Sequence, residues 1–323
     1  MASFKKLLIL AVSFVMIFSA GIKAATTDYA GDMLSIGVGA RALAMGGAFA
    51  AVADDASAMY WNPAGIVNVK GVEVSSVKLL GMEGLDAYYT YLNLIYNPGD
   101  NTGSFGIGYL RQQFGGIIIR NGSGDQIGVP REASDNVINA TYARKISSWL
   151  SAGINAKAMF GMYPDSAARQ GYNGFGADAA LFIYLGGIFD ALKGLSLGIN
   201  LQDPYAVINI TGVEERVAYN FKTGIGYDLP FIFLKNLSSR IIVAADYDTE
   251  YNGEYHLGAE FMWNGMIGIR AGIKRYLSGA SGLYQDAELS LGAGIKWYFL
   301  RIDYAYVNSN ISPLQYISIS GMF

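Results

Sequence analysis

The stretch QDAELSLGAGIKWYF, residues 285–299, decides the fold class. Apolar side chains occupy every second position of it: Ala287, Leu289, Leu291, Ala293, Ile295 and Trp297. A period of two places these side chains on one face of an extended chain and the polar or small residues between them on the other, which a helix cannot do. The stretch therefore predicts a β-strand with one apolar and one polar face.

The same alternation recurs along most of the chain. We predict fourteen strands, at 72–82, 86–96, 103–112, 135–146, 149–162, 172–184, 194–202, 216–228, 238–249, 254–264, 266–277, 285–298, 299–308 and 314–323. Segments of about ten alternating residues, in even number, are typical of bacterial transmembrane β-barrels. The sequence thus favours an all-β fold, a 14-stranded antiparallel transmembrane barrel over residues 70–323.

The connections between these strands alternate in length. Short ones at 147–148, 264–265 and 298–299 predict the periplasmic end, and longer ones at 113–134, 163–171, 203–215 and 278–284 predict the extracellular end. Two presumed periplasmic connections, 185–193 and 229–237, are apolar and longer than the rest. They are interpreted either as short helices in the membrane interface or as segments tucked into the barrel mouth.

Composition supports a membrane location. Only 15% of residues are charged and the mean hydropathy is +0.26, whereas ordinary soluble domains carry about 25% charged residues. After the N-terminal region, no stretch approaches the ~20 apolar residues that a spanning helix needs. A hydrophobic chain without spanning helices is expected to cross the outer membrane as a barrel, with outer-membrane lipid around it.

The N-terminal residues have the pattern of an export signal. Lys5 and Lys6 precede the apolar run Leu7 to Ala20, and small residues follow as far as Ala24. This is the arrangement of a cleaved signal peptide, predicted at residues 1–24, with an uncleaved membrane anchor as the alternative.

Most catalytic chemistry is disfavoured. The net charge of −3 offers no basic face for nucleic acid, the chain has no cysteine, and His256 is its single histidine, so neither a thiolate nor a multi-histidine metal site is expected. Asp286 and Glu288 with His256 are interpreted as part of a salt-bridged inner wall rather than a catalytic cluster. We predict no enzyme activity, no metal and no cofactor.

The last strand carries further signals. Residues 314–323 alternate and end in Phe323, which resembles the C-terminal signal that hands outer-membrane barrels to the barrel-assembly machinery. Aromatic residues near strand ends are expected to form the two interfacial girdles of the barrel; these are Tyr227, Trp263, Trp297, Tyr298 and Tyr316.

Residues 25–69 precede the first strand and are rich in alanine and glycine. Gly37 to Ala42 matches G-x-G-x-x-A, but a dinucleotide site would require a preceding buried strand and following βα units. Asp55 or Ser57 can cap a short helix, and Pro63 imposes a turn at Asn62. Small residues, one short helix and tight turns predict a hatch inside the barrel, and inward glycines would let it approach the wall closely.

The stretch SIGVGARALAMGGAFAAVADDASAMYWNPAGI, residues 35–66, resembles the N-terminal signature of the PorV/PorQ family, within the FadL-like group of outer-membrane barrels. The resemblance implies fourteen strands and a hatch with an Asn-Pro-Ala motif, here Asn62, Pro63 and Ala64. Under the same resemblance, Arg41, Asp54 and Asp55 join that motif in holding the closed state. The modest loops depart from the larger uptake channels of the group.

Two functions follow from this resemblance. In the first, the barrel is a plugged channel that passes hydrophobic small molecules across the outer membrane. In the second, it transports nothing and is a partner of a type IX-like protein secretion apparatus, binding exported cargo through its extracellular loops.

Overall fold

We describe the protein from a computed structural model. The structure describes residues 34–80, 87–100, 102–164, 169–234, 237–249, 253–277, 287–309 and 312–323. The predicted signal peptide, the first residues of the predicted hatch and Asp286 lie outside these described residues.

After residue 70 the described chain is mostly strand. The strands are β1 (Gly71–Leu80), β2 (Ala87–Asn97), β3 (Ser104–Ile117), β4 (Arg131–Lys145), β5 (Leu150–Pro164), β6 (Arg169–Tyr184), β7 (Leu195–Gln202), β8 (Val207–Ile210), β9 (Val213–Arg216), β10 (Asn220–Leu234), β11 (Leu237–Asp248), β12 (Glu254–Trp263), β13 (Ile267–Tyr276), β14 (Ala287–Trp297), β15 (Leu300–Asn308) and β16 (Leu314–Met322).

These strands form a closed antiparallel barrel. Consecutive strands pair from β1 to β7 and from β10 to β16, β7 pairs with β10, and β16 pairs with β1. The last pairing joins the two ends of the chain's sheet, with Ser75 opposite Ser320 and Val77 opposite Ser318. Closure gives the backbone groups of the first and last strands partners inside the sheet.

Two barrel strands are interrupted. β7 and β8 both pair with β6 and are separated by residues 203–206, while β9 and β10 are separated by residues 217–219. Asp203 opens the first interruption with a φ of 52°, a bulge that turns its side chain inward. Since β7 with β8 and β9 with β10 each make one barrel strand, the predicted fourteen-stranded barrel is confirmed.

The two faces of the wall differ as the alternation predicts. Ile269, Leu291 and Ile295 point outward and are 50–60% exposed, and the inward side chains between them include Arg270, which is 2% exposed. An apolar belt around a closed barrel is the surface that contacts lipid acyl chains. The protein is therefore an outer-membrane β-barrel.

The connection predicted at 229–237 is wrong, because β10 continues through Pro230 to Leu234 and pairs with β11. β10 pairs with β7 only as far as Tyr227. Beyond that residue β10 is an edge strand on one side, where the missing N–H of Pro230 removes no ladder bond with β7. The β10–β11 hairpin thus extends past β7 at the short-turn end of the barrel.

The connection predicted at 185–193 consists of two 3₁₀ turns, Leu185–Gly187 and Asp190–Leu192. Ile188 and Phe189 are exposed, which favours the membrane interface over the barrel mouth for this segment. At the other end, β3 reaches Ile117 and β4 begins at Arg131, so the loop predicted at 113–134 shortens to residues 118–130.

The predicted aromatic girdle is wrong for Tyr316. Trp263, Trp297 and Tyr298 are exposed at the short-turn end, as predicted. Tyr227 lies on the outer face of β10 at the same end, half-buried against Leu195. Tyr316 is 2% exposed and faces the lumen, because it shares its face of β16 with Ser318.

The helices are short and precede the barrel: α1 (Ala40–Ala44), α2 (Ala58–Trp61) and a 3₁₀ helix, Pro63–Asn68. Among the described residues, no helix has the length and apolar character needed to span a membrane.

The lipid-facing belt gives a direct test. Leu291→Arg places a charge near the middle of β14, and we expect it to lower the free energy of unfolding in lipid vesicles by about 2–4 kcal/mol. Val129→Arg, in an exposed loop, is the matched control and should change little. Equal effects of the two substitutions in denaturant titrations would contradict the lipid-facing position of Leu291.

Candidate functional site

Residues 34–69, called the luminal segment below, lie inside the barrel. The backbone of this segment accepts hydrogen bonds from Tyr89 of β2 and Ser196 of β7, and donates to Asp246 of β11 and Ser318 of β16. These strands lie on different sides of the closed ring. A segment that contacts all of them can only occupy the space they enclose.

The wall facing the luminal segment is lined with glycine. A Cβ atom on Gly198 of β7 would overlap the carbonyl of Ala50, and one on Gly272 of β13 would overlap the backbone of Met45 and Gly46. Gly153 of β5 meets Ala64 in the same way. Glycine at these inward positions lets the two backbones approach within contact distance, so the wall is shaped to the luminal segment.

The fold of the luminal segment follows from its own sequence. α1 ends at Ala44 and is followed by Gly46 and Gly47, whose φ angles of 67° and 81° are readily adopted by glycine alone. The side chain of Asn62 accepts from the amide of Ala64 and donates to the carbonyls of Ala50 and Leu181, the latter on β6. Asn62 therefore turns the chain into the 3₁₀ helix and also ties it to the wall.

Arg41 is the centre of a buried ionic network. Its guanidinium contacts Glu260 of β12 at 2.6 Å (Nη2 to Oε2) and Asp55 at 3.1 Å (Nη1 to Oδ2), and it also pairs with Asp54. Asp55 and Glu260 are 2% and 1% exposed. The luminal segment is thus joined to β12 by an ion pair that is shielded from water.

The network continues around the wall. Arg270 contacts Glu260 at 3.0 Å and Asp303 at 2.8 Å, and Arg301 contacts Glu73 at 2.8 Å and Asp303 at 3.1 Å. Each buried charge has a partner of opposite sign, which is the condition for keeping it ionised away from water.

Asp55 lies between two of the network's guanidinium groups. Burial alone would raise the pKa of its carboxyl, but Arg301 and Arg41, with hydrogen bonds from Ser57, outweigh burial and hold that pKa at about 2. Asp55 stays charged at physiological pH.

A second cluster surrounds His256. Its Nδ1 lies 2.7 Å from the carbonyl oxygen of Gly46, and its Nε2 lies 3.0 Å from a carboxylate oxygen of Asp248. Both contacted atoms are hydrogen-bond acceptors. Asp246 next to it accepts from the amides of Phe49 and Ala50, each at 2.7 Å. This cluster also joins the luminal segment to the wall.

His256 and Glu288, two of the three residues interpreted as part of the inner wall, lie in different ion pairs. His256 faces Asp248 and Glu254, whereas Glu288 pairs with Lys274 at 3.1 Å; Asp286 is outside the described residues. Asp248, Glu254 and His256 each offer a metal-ligand atom within 4.8 Å of the others. The ammonium of Lys222 pairs with Asp248, so a cation already balances that carboxylate.

The predicted hatch residues fall into two groups. Arg41, Asp54 and Asp55 come together in the ionic network, while Asn62, Pro63 and Ala64 lie together against β5 and β6. The sequence alone does not mark Glu73 as a network residue, or Glu260 and Arg301 as partners of the luminal segment. Alternation places all three side chains inside, but it does not reveal which charge each of them meets.

The inner wall changes character toward the long-loop end. On the side formed by β15, β16 and β1 to β6, the buried inward side chains include an apolar and aromatic group; its members are Leu79, Tyr89, Tyr91, Leu110, Met159, Tyr172, Val307 and Tyr316. The same side also buries Asp135 and the ion pair of Lys157 with Asp178. On the opposite side the buried inward side chains are charged and paired, as in the His256 cluster. The wall on the first side therefore carries an apolar and aromatic group next to one set of charged pairs.

Comparison with known proteins identifies the fold. No model of a known protein family matches the chain, and no curated protein matches it. Among solved structures, the toluene transporter TbuX of Ralstonia pickettii matches with a TM-score of 0.56 and 14% identity, over 89% of this chain and 98% of that chain. The toluene transporter TodX of P. putida matches with a TM-score of 0.55 and 13% identity, over 89% and 99%.

These two barrels share the fold of this chain over nearly the whole length of both partners. At the level of fold, the predicted likeness to the FadL-like barrels is confirmed; identity of 13–14% carries no information about ligands. The solved relatives of this fold are named as transporters, not as enzymes.

The ionic network predicts how firmly the luminal segment is held. Arg41→Ala removes one of the two arginine partners of Glu260 and of Asp55, which keep Arg270 and Arg301. Breaking a buried pair outright costs about 3–5 kcal/mol, which is the upper limit for this variant. In a Val52→Cys background, the only thiol of the chain then reports on release of the segment. We expect faster maleimide labelling of that cysteine in the Arg41→Ala protein.

Arg111→Ala in the same background is the matched control, because Arg111 is exposed and hydrogen-bonds only to Gln113 among the bonds described. It should leave the labelling rate unchanged. Equal rates in the two variants would show that Arg41 does not hold the luminal segment.

Proposed function

We propose that the protein is a channel through which hydrophobic small molecules cross the outer membrane, and that the luminal segment is its hatch. The observation that carries this proposal is the group of apolar and aromatic inward side chains that packs against a segment held only by noncovalent contacts. An apolar solute entering from the long-loop end gains by burial against the outermost of these side chains, such as Leu79 and Val307. It then meets a closed hatch.

The contacts of the hatch suit a part that moves. Its charged groups, Arg41, Asp54 and Asp55, pair with wall residues and with one another. When the hatch moves, a charged group that leaves one partner can therefore pair with another. Asn62, Pro63 and Ala64 form a separate anchor on the opposite wall. We propose that the residues before Asn62, including Met59, move away from the wall while the Asn62 anchor, next to the first strand, remains.

The two structural neighbours supply a probe for the proposed channel. TodX and TbuX are named as toluene transporters, and toluene is a small apolar molecule that an apolar lumen can accept. We take toluene as the probe for this chain, without assigning it as the natural substrate.

A reversible lock tests the proposal. A Cβ atom on Gly106 of β3 would lie 3.3 Å from Cγ of Met59 in the hatch, which is within reach of a disulfide. In the Met59→Cys, Gly106→Cys protein, which has no other thiol, oxidation should abolish protein-dependent uptake of labelled toluene. Dithiothreitol should restore it.

The assay uses Gram-negative cells, whose lipopolysaccharide leaflet resists apolar solutes that pass phospholipid bilayers unaided. The Met59→Cys protein, which cannot form the bridge, is the control and should transport under both conditions. Uptake that persists after oxidation would refute a moving hatch, and absence of protein-dependent uptake in the unmodified protein would refute the channel.

The finer assignment to the PorV/PorQ family is also part of this proposal and rests on the stretch from Ser35 to Ile66. The role as a partner of a secretion apparatus stays a prediction. Failure of toluene uptake combined with co-purification of secretion components would favour that role.

A further inference from the structure

A cavity of about 1010 Å³ lies at the short-turn end of the barrel, beneath the luminal segment. Its wall includes Asp54 and Asn68 of the segment, Lys70 before β1, and the ends of strands on several sides of the ring. We call this space the vestibule. It opens on the side that the short turns assign to the periplasm, away from the apolar part of the lumen.

Basic side chains outnumber acidic ones on the wall of the vestibule. Seven basic residues line it: Arg41, Lys70, Lys193, Arg240, Arg270, Lys296 and Arg301. Three acidic residues do so: Asp54, Glu73 and Asp228. The arginines add no net positive charge, because Asp55, Glu260 and Asp303 behind this wall also pair with them.

The acidic groups of the vestibule are already paired with arginines. Glu73 contacts Arg301 at 2.8 Å, Asp228 contacts Arg240 at 2.8 Å, and Asp54 pairs with Arg41. None of these carboxylates is left to neutralise the lysines.

Lys70, Lys193 and Lys296 are the cations that remain. Each is exposed, and within the described part of the chain none of the three is in an ion pair. They come from three separated places: the approach to β1, the turn between β6 and β7, and the end of β14. Three free ammonium groups around one opening attract negative charge from the solution.

The spread of these lysines decides the kind of ligand. One small anion contacts groups that converge on a point, whereas these lysines lie on different sides of the ring. A lipid headgroup stays tethered to acyl chains in the bilayer outside the barrel. An extended polypeptide with several carboxylates can enter the vestibule and reach all three lysines.

We propose that the vestibule docks an acidic segment of a periplasmic protein through Lys70, Lys193 and Lys296. The bound acidic segment lies next to Asp54, whose side chain is 27% exposed, the most of any carboxylate in the ionic network. Arg240 pairs with Asp54 at 3.5 Å, and the acidic segment competes with Asp54 for this arginine. Docking is thereby coupled to the luminal segment. The surface exists whether or not the barrel passes a solute.

The test uses the full-length barrel in nanodiscs of zwitterionic lipid and two fluorescent peptides, one with six glutamates and one with glutamines in their place. We expect the glutamate peptide to bind, with an affinity that falls as salt is added. The K70Q/K193Q/K296Q protein should bind it about tenfold more weakly, since three partly screened ion pairs are lost.

The control is R111Q/R120Q/R216Q, which removes the same charge from exposed positions at the long-loop end and should bind the peptide normally. Equal binding of both peptides, equal loss in both triple variants, or no binding at all would overturn the proposal. Anionic lipid that blocks the peptide in the unmodified protein, and not in the lysine variant, would assign the lysines to lipid contact instead.

Discussion

Pairing of the first strand with the last is the constraint on which this structure depends. Within a bilayer an unpaired backbone amide or carbonyl has no water to bind, so a sheet survives only if it has no open edge. β1 meets β16 along eight residue pairs, from Glu73 opposite Met322 to Leu80 opposite Gln315. Once the ring is closed, every strand must turn one face to lipid and the other to a confined interior.

That interior reverses the usual order of a soluble protein. Apolar side chains lie outside and charges such as Arg270 and Glu260, at 2% and 1% exposure, lie inside. Buried charges are tolerated only with partners of opposite sign, and the wall alone does not provide them all: Glu260 uses Arg41 of the luminal segment as well as Arg270. The segment is therefore part of the electrostatic balance of the barrel and not only a filler.

The same segment connects two environments that serve different purposes. Toward the long loops lies a group of apolar and aromatic wall side chains, suited to the hydrophobic solutes that the proposed channel would carry. Below the segment lies the vestibule with its free lysines, suited to a polypeptide from the other compartment. The ionic network around Arg41 stands between them, with Asp54 at its exposed edge. Binding on either side would therefore alter the same contacts, those of the ionic network around Arg41.

The sequence by itself determined the strands, their inner and outer faces and the small-residue character of the segment before them, because a period of two is a local property of an extended chain. The prediction from sequence failed at Pro230, where β10 continues as a strand by pairing with β11. Proline is tolerated there because β7 no longer pairs with β10. Only the tertiary structure decided that Arg41 meets Glu260, 219 residues away, and that three distant lysines share one opening. Such pairings depend on how the ring closes and in which register, and no local pattern records that.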